Sequence, residues 1–223
     1  MQFKGIRKNP SAPQANAGHI AALRDIPVAA LSDNMHRNIG SVGLTPYHRP
    51  GRGTMAGTAV TIKSRGGDNL TLLRAFEFCR PGDVIVIDAD GDLANAVIGG
   101  ILSFYAATIG TVGVVLDGAI RDVAEIRGRD FPVYARGVNH RGPYKDGPGE
   151  INVPVSVGGM LVNPGDIVVG DQDGLMAFSP SDAEWLIEKA RAHLATEGET
   201  IRAMKEGRWD RSFLDALEAR CPN

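Results

Sequence analysis

Apolar and polar positions alternate in blocks along the middle of the chain, and the spacing of the apolar residues changes from block to block. Short aliphatic runs rich in β-branched residues predict strands at residues 57–63, 84–87, 112–116 and 131–134. Longer stretches with helical spacing predict helices at residues 69–79, 95–109 and 121–128. Strands that alternate with helices in this order are typical of an α/β domain whose sheet is mostly parallel.

The segments that flank this block have other patterns. Residues 1–18 are rich in Pro, Asn, Gly and Ala and predict an extended arm or a loosely ordered end. Short helical patterns follow at residues 19–24 and 28–37. The glycines and prolines of residues 136–163 favour loops and short antiparallel strands. An apolar stripe near the end of the chain predicts a helical tail. We therefore expect an N-terminal arm (1–18), an α/β domain (19–178) and a C-terminal helical extension (179–223) that packs on the domain or on a neighbouring subunit.

Charge and composition exclude several classes of partner. The 24 basic and 26 acidic side chains leave a formal charge of -2, so bulk charge attracts neither nucleic acid nor a membrane surface. The chain begins without the apolar core of a signal peptide, and no apolar run reaches the ~18 residues of a membrane span. Cys79 and Cys221 have no Cys or His neighbour at zinc-ligand spacing, which predicts free thiols. A cytoplasmic protein is expected.

An acidic cluster follows the predicted strand at residues 84–87. Asp88, Asp90 and Asp92 alternate as in a calcium loop, but Leu93 and Gly99 stand where an EF-hand requires Gly and Glu. An acidic turn is therefore favoured. Because it comes at the carboxyl end of a strand, it is expected near a ligand cleft.

Two glycine pairs, Gly66-Gly67 and Gly99-Gly100, each precede a helical pattern. Such a pair forms either a tight turn or, through free N–H groups at the start of the helix, an anion site. In the first case Asp68 acts only as a helix cap. The residues alone leave both interpretations open.

The pair Arg121-Asp122 comes where the predicted strand at residues 112–116 gives way to a helix. One interpretation is a structural ion pair with surface charges. In the other, Arg121 binds a substrate carboxylate or a developing oxyanion through its planar fork, and Asp122 holds a hard divalent metal. Lys145 is either a second cation of this site or a solvated loop lysine.

The segments 110–123 (GTVGVVLDGAIRDV), 152–155 (NVPV) and 162–174 (VNPGDIVVGDQDG) resemble the RraA-like family. This family includes the 4-hydroxy-4-methyl-2-oxoglutarate and 4-carboxy-4-hydroxy-2-oxoadipate aldolases. The resemblance extends from about Ala30 to Ala195. It implies an α/β/β/α sandwich of the swivelling, phosphohistidine-like domain type, assembled as a homotrimer or homohexamer with sites between subunits.

The resemblance also implies a reaction. The aldolase branch releases pyruvate from 4-hydroxy-2-oxo acids and decarboxylates oxaloacetate, with Mg²⁺ or Mn²⁺ as cofactor. Both reactions leave a pyruvate enolate, so one metal can serve both as an electron sink. By this analogy Asp122 reaches the metal, Arg121 stabilises the developing charge, and Lys145 is a secondary contact.

In the same analogy the backbone amides near Ile101 and Leu102, at the end of the Gly99-Gly100 pair, receive the substrate carboxylate. The sequence departs from the aldolases at one point, because Gly100 stands where they carry an acidic residue. Asp90, Asp92 or a carboxylate of a neighbouring subunit are the alternatives for that role. Two other functions stay open: a regulator that binds a ribonuclease without catalysis, and a related lyase for a different oxo or hydroxy acid.

Overall fold

A mixed sheet of ten strands forms the centre of the computed structural model, which describes residues 5–35, 37, 39–50 and 53–220. The strands of this sheet are β1 (Ile6–Lys8), β2 (Thr45–Pro46), β3 (Met55–Ser64), β4 (Asp83–Asp88), β5 (Ala96–Ile98), β6 (Gly113–Ile120), β7 (Val133–Val138), β8 (Gly149–Ile151), β11 (Ile167–Gly170) and β12 (Leu175–Phe178). The main path runs β1-β8-β3-β4-β6-β7-β2; β11 also pairs with β3, β12 pairs with β11, and β5 pairs with β6. A separate antiparallel hairpin consists of β9 (Val155–Val157) and β10 (Met160–Val162).

Helices cover this sheet and extend beyond it. They are α1 (Ala17–Leu23), α2 (Val28–Asp33), α3 (Leu70–Ala75), α4 (Gly100–Thr108), α5 (Val123–Arg127), α6 (Ala183–Lys205) and α7 (Phe213–Glu218), with 3-10 turns at Phe76–Phe78 and Pro180–Asp182. The helices described here are all too short or too polar to cross a membrane.

The mixed α/β class and the parallel middle of the sheet agree with the sequence-based expectation. Strands β3, β4, β6 and β7 pair in parallel. Strand β4 is buried along its whole length, as expected for a strand covered on both faces. The parallel strands therefore end at one edge of the sheet, where the polar residues of β4 and β6 collect.

Three buried clusters form the core. The largest lies between the parallel strands and helices α3, α4 and α5, and includes Ile87, Leu116 and Ile126. A second cluster joins α1, α2 and the first half of α6 to β11 and β12. The third includes side chains of the β9–β10 hairpin, such as Val157 and Met160. Helices and the β9–β10 hairpin thus cover the sheet. This packing holds the carboxyl edge of the sheet in place.

The single helix predicted for residues 95–109 is wrong in its first part. Strand β5 occupies Ala96–Ile98 and pairs in parallel with the end of β6, and α4 begins only at Gly100. Gly99 between them is extended, with φ -142° and ψ -165°. The β-branched residues Val97 and Ile98 are fully buried in this pairing, so tertiary contacts outweigh the helical spacing.

The predicted N-terminal arm is more ordered than expected. Strand β1 pairs in parallel with β8, and α1 begins at Ala17, capped by the side chain of Asn16. Between them the Gln14 side chain donates to Asp83 Oδ1 at 2.9 Å. A strand pairing and a side-chain hydrogen bond thus tie this segment to the domain.

The Cys79 thiol is partly buried and donates to the Ala75 carbonyl. Burial raises its pKa to about 12, which agrees with a structural thiol rather than a nucleophile. Cys221, the other cysteine of the sequence, lies outside the described residues.

Candidate active site

A cleft of about 190 Å³ lies where β5 and β6 end. Because these strands are parallel, the residues that follow each of them meet at the same edge of the sheet. Six residues singled out from the sequence line this cleft: Gly99, Ile101, Leu102, Arg121, Asp122 and Lys145. Gly100 does not line it, but its backbone N–H donates to Asp122 Oδ2 at 2.9 Å.

Asp122 has an unusual backbone conformation. It precedes α5 in the left-handed region, with φ 58° and ψ 38°, and its side chain does not cap that helix. A left-handed conformation costs a residue other than glycine ~1 kcal/mol, and such strain collects at functional sites. The carboxylate consequently lies against the Gly99-Gly100 segment, with 44% of the side chain exposed.

This arrangement requires glycine at position 99, because a side chain has no room there. A Cβ atom at position 99 would lie 2.5 Å from Asp122 Oδ2 and 2.9 Å from Arg121 Cγ, both far closer than van der Waals contact. A side chain at position 99 would therefore displace the Arg121-Asp122 pair. The glycine does more than form a turn.

The first turn of α4 faces the same cleft. The Gly100 amide is used by Asp122, whereas the amides of Ile101 and Leu102 are in the first turn, where a helix offers no acceptor for them. Unpaired amides at a helix start bind anions such as carboxylates. The two residues that follow the glycine pair can therefore hold one end of an acidic ligand.

Arg121 is only loosely paired. Its Nε atom lies 3.7 Å from Asp122 Oδ2, and 41% of its side chain is exposed. An exposed pair at this distance contributes little to stability. The guanidinium group is therefore free to bind a negatively charged ligand in the cleft through its planar fork.

Lys145 reaches the cleft from a loop that a buried carboxylate anchors. Asp68, which is fully buried, accepts hydrogen bonds from the amides of Asp146 at 2.7 Å and Gly147 at 3.0 Å. Its other oxygen accepts from the amide of Leu70, as expected of a cap for α3. The Gly66-Gly-Asp segment is thus a structural tie that holds the lysine loop beside the cleft.

Asn69 is a residue of this cleft that the sequence analysis did not single out for binding. It is 3% exposed, and its side-chain N–H donates to the Val97 carbonyl at 3.2 Å, which fixes the orientation of the amide. Its Oδ1 atom is buried and has no hydrogen-bond partner in the described ranges. A buried acceptor without a partner is costly, so this atom marks a place where a donor from a ligand or water is expected. The cleft also includes Leu73, Val97, Ile98 and Pro143, which are apolar.

The acidic turn contributes nothing to the cleft. Asp90 pairs with Lys63, and Asp92 accepts a hydrogen bond from the Ala94 amide at 2.6 Å. Neither residue lines the cleft. In this structure neither carboxylate takes the place of the acidic residue that Gly100 replaces, because both are engaged elsewhere at the sheet edge.

A second group of charges at this edge, the polar cluster of Lys63, Asp88, Asp90, Asp117 and Arg136, is internally paired. The ammonium group of Lys63 donates to Asp88 at 2.9 Å and also to Asp90. Arg136 binds Asp117 through two nitrogen atoms, one of them at 3.1 Å.

Two carboxylates of this cluster, Asp88 and Asp117, are buried and hold the β9–β10 hairpin. Asp88 accepts from the Ser156 amide at 3.2 Å, and Asp117 accepts from the Gly158 amide at 2.7 Å. Partial burial acts to raise the pKa of Asp117, but the hydrogen bonds from Arg136 and Gly158 outweigh it, and the pKa is lowered from its ordinary value. The polar cluster is therefore structural.

Comparison with known proteins identifies relatives of this chain. A sequence profile described as "RraA-like: Aldolase/RraA" matches residues 28–177. The chain belongs to the RraA-like family. A relative from Halalkalibacterium halodurans, named "Putative 4-hydroxy-4-methyl-2-oxoglutarate aldolase", is 37% identical over 86% of this chain and 91% of its own length. The family resemblance of residues 110–123 and 162–174 is thereby confirmed.

Solved structures of RraA-like proteins have the same fold. RraAS2 of Streptomyces coelicolor, described as an unusual member of the RNase ES inhibitor RraA protein family, is 27% identical with a TM-score of 0.75, over 84% of this chain and 97% of that one. The RNA-processing inhibitor RraA of Thermus thermophilis is 30% identical with a TM-score of 0.62, over 70% of this chain and 93% of that one. The family thus includes relatives named for catalysis and relatives named for inhibition.

Proposed function

We propose that this RraA-like protein is a divalent-metal-dependent lyase that releases pyruvate from a 4-hydroxy-2-oxo acid by retro-aldol cleavage and decarboxylates oxaloacetate. The observation that carries the proposal is the convergence, in one cleft, of Asp122, the loosely paired Arg121 and the first-turn amides of α4. The name of the Halalkalibacterium halodurans relative supports the same chemistry.

The donor set of the cleft fits a hard cation that is held mainly by its substrate. In the described ranges no three His, Cys, Asp or Glu side chains come together as a metal site. The proposal gives Asp122, the carboxylate that lines the cleft, the role of the chain's own ligand. Mg²⁺ and similar cations are commonly held by one or two carboxylates together with oxygens of the substrate and water. When bound, the cation supplies Lewis-acid polarisation of the 2-oxo group.

The protein groups around the cleft divide the remaining tasks. The amides of Ile101 and Leu102 bind the substrate carboxylate, and Arg121 stabilises the negative charge that develops on the 2-oxo oxygen. Lys145, on the opposite loop, attracts the second acidic group of the substrate. Asn69 offers its unpaired Oδ1 to a hydroxyl donor.

The test is pyruvate release from oxaloacetate and from 4-hydroxy-4-methyl-2-oxoglutarate, with Mg²⁺ and with a chelator. Native protein is expected to turn over at least one of them only with the metal. Asp122→Asn is expected to lower that rate ~100-fold, the usual effect of removing an electrostatic group from the transition state. Asparagine suits a left-handed backbone, so the variant tests the carboxylate and not the fold.

Two results would contradict the proposal: native protein without metal-dependent turnover of either acid, or an Asp122→Asn variant as active as the native protein. Turnover of a different oxo or hydroxy acid would keep the lyase and change its substrate. An equal unfolding midpoint for the two proteins serves as the control.

A ribonuclease-regulator function is the second candidate, because the Streptomyces coelicolor and Thermus thermophilis relatives are named as RNase or RNA-processing inhibitors. It requires a binding surface and no chemistry in the cleft. Saturable binding to a ribonuclease that Asp122→Asn leaves unchanged, in a protein without lyase activity, would favour it.

We also propose that the chain assembles as a homotrimer or homohexamer of α/β/β/α sandwiches. The first half of α6 packs on the domain through Leu186, Ile187 and Ala190, whereas Ile201 and Met204 in its second half are about half exposed. Apolar side chains in such positions are typical of subunit contacts. Analytical ultracentrifugation tests this directly, and a monomer at micromolar concentration would contradict it.

A further inference from the structure

The Gly99-Gly100 pair lies under two carboxylates, not one. As described above, Asp122 Oδ2 occupies the space of a Cβ at position 99. Glu125 Oε2 occupies the equivalent space at position 100, only 2.0 Å from where a Cβ would be. The two acidic side chains are therefore neighbours on one two-residue stretch at the start of α4.

A contact of its other oxygen, Oε1, holds Glu125 in this place. Arg129 donates to Glu125 Oε1 and, through Nη1, to the Gly100 carbonyl at 2.9 Å. The guanidinium group also lies over the ring of Phe104, 5.0 Å from its centroid. Oε2, the oxygen over Gly100, takes no part in the contact with Arg129, and half of the Glu125 side chain is exposed, so this acceptor is open to water near Asp122.

We propose that Glu125 is a positioning residue for the divalent cation: through Oε2 it accepts hydrogen bonds from the cation's water ligands, and Gly100 is a glycine to leave room for it. This assignment rests on the lyase function proposed above. Glu125 does not line the cleft, so it acts through water and not on the substrate. The second carboxylate of the site thus comes from α5, and the chain needs no acidic residue at position 100.

The proposal predicts that Glu125 and position 100 are coupled. A methyl group at position 100 requires Oε2 to move, and the carboxylate is the far end of a flexible side chain that can do so. Gly100→Ala therefore displaces Glu125 while leaving its charge and its helix intact. Alanine is also the better helix former, so this variant is not expected to lose stability.

The experiment is Mn²⁺ binding to the full chain in the presence of pyruvate, followed by the EPR signal of the free ion. Glu125→Gln is expected to weaken binding ~10-fold, as loss of an outer-shell partner usually does. Gly100→Ala should weaken it similarly, and the double variant should be no weaker than Glu125→Gln, since both changes remove the same contact. Glu188→Gln, at an exposed position of α6, is the matched control and should bind as the native protein does.

Native affinity in both Glu125→Gln and Gly100→Ala, together with lost binding in Asp122→Asn, would overturn the Glu125 assignment and leave the lyase proposal standing. If the native protein binds no Mn²⁺, the metal-dependent function and this assignment fail together. Equal unfolding midpoints across the set are expected. If the affinity of the Glu125 variants falls only in parallel with their stability, the role is structural and the proposal is wrong.

Discussion

Asp117 lies in β6 and Asp122 lies between β6 and α5, and the two carboxylates have opposite surroundings. The Asp117 side chain is 9% exposed, binds Arg136 through both oxygens and accepts a hydrogen bond from the Gly158 amide. The Asp122 side chain is 44% exposed, accepts a hydrogen bond from the Gly100 amide and lies 3.7 Å from the Arg121 Nε atom. Unused hydrogen-bonding capacity, and not charge, separates the residue that can bind a ligand from the one that holds the fold.

The largest effect on this contrast is expected from a change of Arg121, the arginine of the cleft. Arg121→Lys keeps the charge but loses the planar fork, so it is expected to lower kcat/KM for pyruvate formation ~100-fold. The free energy of unfolding should change by less than ~0.5 kcal/mol, because the group is exposed and loosely paired. Steady-state kinetics and urea unfolding on the same preparations measure both. A clear loss of stability would place Arg121 with the fold, like Arg136.

Asp117→Asn should give the opposite result. The amide keeps an acceptor for Gly158 but leaves Arg136 without its counter-charge, and losing a hydrogen bond to a charged group costs about 2 kcal/mol of unfolding free energy. Turnover of the folded variant is expected to match that of the native protein. A variant that is as stable as the native protein but inactive would contradict the structural role of the polar cluster.

Acid should erase the difference between native protein and Asp117→Asn. Because the pKa of Asp117 is lower in the folded chain than in the unfolded one, its contribution is fully present above the ordinary carboxyl pKa of about 4. It is lost as pH falls through the lowered folded value. Urea titrations from neutral to acidic pH measure the gap between the two proteins. A gap that stays constant into the acid range would show that the carboxylate charge is not its source.

The smallest expected effect belongs to the loop lysine. Lys145 is exposed, and an exposed ion pair contributes less than ~1 kcal/mol, so Lys145→Ala should raise KM about threefold without changing kcat. The comparison is Asp146→Ala, whose side chain is exposed and does not line the cleft, and which should leave KM unchanged. A fall in kcat for Lys145→Ala would mean that the lysine acts on the transition state.

The sequence predicted which residues share the cleft better than it predicted the elements that carry them. Periodicity located the strands and placed Arg121 and Asp122 at the end of one of them, because buried β-branched runs are local features. It did not separate β5 from α4, since the pairing of Val97 and Ile98 with β6 is a long-range contact. The left-handed backbone of Asp122 was equally out of reach, because it depends on the space left by Gly99.

Asn69 shows a different limit. An asparagine before a helix is expected to cap it, yet its side chain turns away to the Val97 carbonyl and leaves Oδ1 unpaired beside the cleft. Asp68 performs the capping, and also the anchoring of the Lys145 loop. Both roles require partners that are distant in sequence, so residue type and spacing alone do not assign them.

The left-handed conformation of Asp122 has a consequence for how this chain can evolve. Aspartate, asparagine and glycine are the residues that occupy this backbone region most readily, and only the first has a charge at neutral pH. A single nucleotide change converts an aspartate codon into either of the others. The carboxylate that the proposed function requires can therefore be lost in one mutational step that folding does not oppose, and a screen that selects only for stable protein would not detect the loss.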